Sequence, residues 1–143
     1  SVERRKADPI WSNQQLANEE DKDAAIYAAM QKQIPLWKDA VRRGIKVAMG
    51  TDQSHRLLVG ENLVELEYMV KWLGMSEMDA IVAATSRAAE CIERPELGAL
   101  APGRCADVLV VDGDPLADIA VLQDRKRLHL ILKDGWAYRN LIN

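Results

Sequence analysis

The sequence predicts an α/β fold in which a helix-rich first part gives way to a small β-rich end. Three observations carry this. Apolar residues recur at helical spacing between Tyr27 and Ile92. One short apolar run, Val47-Ala48-Met49, follows a helix directly after a single glycine. From Gly98 onward, short hydrophobic runs alternate with Gly, Pro and Asp turn signals.

The opening stretch through Asn18 is polar, with Asp8-Pro9 and Asn13-Gln14-Gln15, and is expected as loop. Asn18 or a neighbouring acid then caps a first helix, with Glu19, Glu20 and Asp21 in the first turn, where the helix dipole favours them. Tyr27, Met30, Ile34, Trp37 and Val41 form its apolar stripe; Pro35 predicts a kink or a division into two helices. Arg42 and Arg43 suit the last turn and Gly44 a left-handed cap. Val47–Met49 then reads as a strand covered on both faces, as in a parallel sheet. A second helix carries Leu63, Leu66, Val70 and Leu73 and ends at Gly74. Ser76-Glu77-Met78-Asp79 opens a third, with Ile81, Ala84, Ala88 and Cys91 or Ile92 on one side and Pro95 as its outer limit. After the connector Gly98–Gly103, Val108–Val111 is expected as a strand. Leu128–Leu132 and Trp136–Tyr138 form a hairpin around Asp134-Gly135.

With 143 residues and a net charge of −3, the chain suits one modest soluble domain or parts of two. No basic patch argues for nucleic acid, and no apolar run approaches the roughly 20 residues of a membrane span. No secretory signal is visible. Cys91 and Cys105, in no CxxC or staple pattern, are expected as two buried free thiols in a cytoplasmic setting.

The chemistry concentrates on Asp52. It closes the expected strand, and α/β sheets place ligand and catalytic groups at the carboxyl ends of strands. A cap or turn role is the competing reading. His129, in the hairpin, is expected at the surface or in a cross-strand pair. Arg87 is expected in a solvated or salt-bridged role over substrate binding, Asp107 and Asp112 as turn formers, and Glu61 as a helix N-terminal carboxylate over a ligand contact above Asp52.

The ordered set of motifs resembles the amidohydrolase superfamily. Gly50-Thr51-Asp52 looks like its final barrel strand, and Glu61-Asn62-Leu63 through Val70 like its last barrel helix. Gly74-Met75, Ala80-Ile81, Ala83-Ala84-Thr85 and Ala88-Ala89 are similar to its next segment. Leu97-Gly98, Leu100–Gly103, Ala106-Asp107, Val110–Leu116 and Asp118-Ile119 match its return into a small β-sandwich. The resemblance implies the C-terminal portion of a (β/α)8 metal-dependent hydrolase barrel over residues 1–95, followed by part of that sandwich over 96–143. A whole barrel takes roughly 250 residues, so the other strands would belong to a longer parent.

Within the superfamily the chain looks most like the imidazolonepropionase-like and Xaa-Pro dipeptidase-like branch. That branch implies hydrolysis of amide bonds in small dipeptides or N-acyl amino acids, with one or two zinc ions held in the full-length parent and not stably by this chain alone. Asp52 would bind the metal, accept a proton from the attacking water and pass it to the leaving amine. His55 is the substrate-binding candidate, although the branch often places His-Gly where this chain has Val59-Gly60. No His-x-His or HExxH occurs, so an isolated chain is expected to be inactive. The alternative is a non-catalytic module that self-associates through exposed barrel faces.

Overall fold

The structure, a computed structural model, describes residues 13–52 and 60–142, with side chains described from residue 24 onward. Helix α1 spans Asn13–Arg42. It starts earlier than expected: Asn13–Asn18 is helical, not loop. Gln14, Gln15, Leu16 and Ala17 are good helix formers, and their propensity outweighs the polar composition that suggested a loop. Pro35 lies inside a single helix. A proline removes one backbone donor, and in a helix of 30 residues the remaining ladder carries across it. The stripe is unevenly covered: Met30, Ile34 and Val41 are half-buried, while Tyr27 and Trp37 stay exposed.

Gly44, at φ 80°, ends α1 as its sequence position requires. Its N–H bonds the Val41 carbonyl, and Ile45 N–H reaches back to Ala40. Helix α2 (Val64–Leu73) ends the same way at Gly74, φ 70°. Helix α3 (Glu77–Ala84) begins at Ser76, whose Oγ accepts from Asp79 N–H at 3.1 Å and donates to the Asp79 carboxylate at 2.8 Å.

The expected third helix is in fact two, because Thr85 breaks it before α4 (Ser86–Cys91). Thr85 Oγ1 donates to the Ile81 carbonyl at 2.7 Å, competing with the ladder, and its backbone leaves the helical region. The break re-aims the last turn. Ala89 takes the inward position, while Cys91 and Ile92, expected inside, are exposed. Both cysteines are free, as expected, but neither is buried: Cys105 is only half-covered.

The β-rich end is a three-stranded antiparallel sheet of β1 (Val108–Val111), β2 (Leu128–Lys133) and β3 (Trp136–Asn140), in that order. Asp134 and Gly135, at φ 51° and 77°, make the two-residue turn between β2 and β3. Two short 3₁₀ turns that the sequence reading missed, Ile119–Gln123 and Arg125–Arg127, fill the β1–β2 connection. Each opens on an aspartate that accepts a backbone N–H two residues on, Asp118 from Ala120 and Asp124 from Lys126.

The core gathers Leu66 and Met69 of α2, Met75, Ala80 and Ala83, and Ile119 and Leu122 of the first 3₁₀ turn. It therefore joins helices to the β-rich end in one apolar cluster. The strand expected at Val47–Met49 does not form. The only sheet among the described residues is β1–β3, and Val47, Ala48 and Met49 are half-buried, not enclosed. A strand needs a neighbour to complete its ladder. Here Met49 N–H instead bonds the Ala83 carbonyl of α3 at 3.0 Å.

Candidate active site

The segment after Gly44 leads from α1 toward α2 and carries Asp52, the last residue described before Gly60. Asp52 adopts φ 42°, a left-handed state in which Asp is one of the few tolerated side chains. Asp52 is exposed and lines a cleft of about 540 Å³. Thr51 and Glu65 are the cleft's other polar groups near it, and Met30, Trp37 and Met69 supply apolar wall. Trp72 and Tyr68, four residues apart on α2, stack with ring centroids 4.3 Å apart and planes 4° from parallel. Tyr27 of α1 meets Trp72 edge-on at 6.2 Å.

Glu65 lies beside the segment's end. Its Oε1 accepts from Gly50 N–H at 3.2 Å. Its Oε2 is buried and has no hydrogen-bond partner among the described residues. Sequence reading missed Glu65, Tyr68 and Trp72. The signal is present, because positions 65, 68 and 72 share one helical face, but the apolar stripe Leu63, Leu66, Val70 and Leu73 dominates the pattern of this helix.

The other candidates lie apart from this cleft or outside the description. His55 falls outside the described residues. His129 sits half-buried on β2, and its carbonyl accepts Leu141 N–H at 2.7 Å. Arg87 lies 3.9 Å from the Asp79 carboxylate, the salt-bridge role expected of it. Glu61 precedes α2, where its carbonyl accepts Val64 N–H.

Asp107 does more than form a turn. Its carboxylate takes Lys133 Nζ at 2.8 Å and Asp134 N–H at 2.7 Å, tying the approach to β1 onto the β2–β3 turn. The Lys133 ammonium and then the Asp134 N–H hold the Asp107 carboxyl below its ordinary range. Asp112 bonds Arg127 through backbone: its N–H donates to the Arg127 carbonyl at 2.8 Å, and its carbonyl accepts from the guanidinium at 3.0 Å.

A zinc ion takes three or four protein ligands. Among the described residues no group of three or more His, Cys, Asp or Glu side chains is placed to hold a metal. Asp52 and Glu65 are the two carboxylate residues that line the cleft, which is too few donors. The residues described here do not fit a complete metal centre.

Asp52 and Glu65 thus line one cleft, beside a segment that runs from helix α1 to helix α2. Residues 10–137 match the profile of the Amidohydrolase family, and the chain belongs to that family. Ochratoxinase of Aspergillus niger is 30% identical over 118 residues, covering 81% of this chain and 24% of that protein. Imidazolonepropionase of Pyrobaculum arsenaticum is 31% identical over 104 residues, covering 72% of this chain and 26% of that protein. The chain thus spans about a quarter of the length of these relatives. Among solved structures, A. niger ochratoxinase superposes with a TM-score of 0.73 at 29% identity, over 87% of this chain and 29% of that one. A Xaa-Pro dipeptidase with bound methionine gives 0.65 at 35% identity, over 75% and 25% of the two chains.

Proposed function

We propose that this chain is the C-terminal segment of a metal-dependent amidohydrolase that cleaves amide bonds of small dipeptides or N-acyl amino acids. Residues 1–95 are the closing portion of its (β/α)8 barrel and 96–143 part of its small β-sandwich. The observation that carries the reading is Asp52, which holds a left-handed backbone at φ 42° and lines the 540 Å³ cleft. Asp52 is the chain's acid–base carboxylate and its contribution to the metal ligands, with His55 as a substrate contact. The parent's other parts supply the remaining ligands for one or two zinc ions. Relatives named as an imidazolonepropionase and a Xaa-Pro dipeptidase support the substrate class. Two free thiols accord with a cytoplasmic setting.

The test compares this chain with the full reading frame that contains it. The chain alone is expected to hold no stoichiometric zinc after dialysis and to hydrolyse no dipeptide, while the full-length protein does both. Asp52→Asn in the full-length protein is expected to cut kcat by about a hundredfold or more, the range of a positioned acid–base group. Tight stoichiometric zinc with turnover in the chain alone overturns the reading.

A second reading, a self-associating module without catalysis, draws on apolar exposure: Leu36 is 71% and Trp136 79% exposed. Full-length protein that forms stable assemblies but shows no amide hydrolysis would select it.

A further inference from the structure

We infer that Glu65 is a positioning residue for Asp52, acting through the backbone of Gly50; the inference rests on the catalytic reading of Asp52. Three observations converge. The Glu65 carboxylate reaches from α2 to a backbone N–H fifteen residues earlier, with Oε1 3.2 Å from Gly50 N. Gly50 stands two residues before Asp52, at most about 7 Å of extended chain. Asp52 itself holds φ 42°, a left-handed state less common than the right-handed one even for aspartate.

The second oxygen shows that this contact decides where the side chain sits. A glutamate in the first turn of a helix is free to turn both oxygens to water, where hydration favours them. Glu65 does not. Its Oε2 is buried and lacks a hydrogen-bond partner among the described residues, an arrangement that costs stability. The favourable partner it gains in that orientation is the Gly50 N–H. Glu65, Gly50 and Asp52 line the same cleft, so the tie links the segment to the cleft wall on α2.

A plain helix-dipole role for Glu65 is distinguishable, because it depends on charge and not on an acceptor at Gly50. Residue-resolved amide exchange and backbone chemical shifts of this chain, wild type against Glu65→Leu and Glu65→Gln, separate the two. In the wild type the Gly50 amide is expected to exchange about tenfold or more slowly than an unstructured peptide, the effect of one net hydrogen bond. Glu65→Leu is expected to remove that protection and move the Thr51 and Asp52 backbone signals. Glu65→Gln, which keeps an acceptor oxygen without the charge, is expected to restore both.

An unprotected Gly50 amide in the wild type overturns the inference, and needs no variant to fold. So does Glu65→Leu with unchanged Gly50 exchange and Asp52 signals, or Glu65→Gln matching Glu65→Leu. None of these readouts depends on turnover. A failure of the catalytic reading would appear instead as unchanged activity on Asp52→Asn in the full-length protein.

Discussion

Gly74 and Gly98 share a left-handed backbone, at φ 70° and 75°, yet their surroundings differ. A Cβ at Gly74 would meet nothing within 4 Å, whereas one at Gly98 would lie 2.5 Å from the Thr85 carbonyl oxygen and 2.9 Å from Ser86 Cα. Gly74→Ala is therefore expected to cost about 1 kcal/mol, the conformational term alone. Gly98→Ala adds a clash with backbone that cannot rotate away, and a loss of roughly 3 kcal/mol or more is expected. Chemical denaturation of the two variants checks the ranking; equal losses would mean that the α3–α4 junction yields freely. The candidate site divides along the same line between local and distant information. Asp52 was legible because Gly-Thr-Asp follows a helix, a glycine and an apolar run. Glu65 was not, since its meaning lies in a backbone N–H fifteen residues away, and no local pattern encodes that.

Helix ends were readable wherever a single residue settles them. Gly44, Gly74 and Ser76 each act where their chemistry placed them. Ser76→Ala is accordingly expected to destabilise α3 by about 1 kcal/mol, read as a lower denaturation midpoint with unchanged slope. The Thr85 break was hidden because a threonine inside a helix usually passes unnoticed; only its bond to the Ile81 carbonyl reveals the exit. In the sheet, the Asp107–Lys133 pair predicts a pH response. The folded Asp107 carboxyl is lowered by Lys133 and by Asp134 N–H. Its contribution is thus present above the unfolded carboxyl value of about 3.9 and lost as pH falls through the folded one. Lys133 is raised by the same partner, so its share persists below about pH 10.4 and is lost as pH rises through its folded value. The gap between thermal melts of wild type and Asp107→Asn is expected to narrow from pH 6 to pH 3, starting near the unfolded carboxyl value. A constant gap between them would show that the carboxylate's charge contributes nothing.

At the scale of the whole molecule, the strand expected at Val47–Met49 fails for a reason no local signal could supply. Its apolar residues suit a parallel sheet, but the described residues offer it helices instead of strand neighbours. The same shortage governs the surface. Large apolar side chains stand exposed on separate elements. Leu36 is 71% exposed on α1, Leu100 74% in the connector, and Trp136 and Tyr138 79% and 76% on the edge strand β3. Burying such groups against another copy removes apolar area at about 25 cal/mol per Å², so a few hundred Å² is enough to offset part of the entropy cost of association. The chain alone is therefore expected to run as a dimer or larger on size-exclusion chromatography with light scattering. Leu36→Glu and Trp136→Glu place charges on faces that contribute nothing to the buried core, so helix content by circular dichroism should hold while the mass moves toward one chain. A monodisperse monomer for the unmodified chain at tens of micromolar would show that these apolar faces are tolerated in water as they stand.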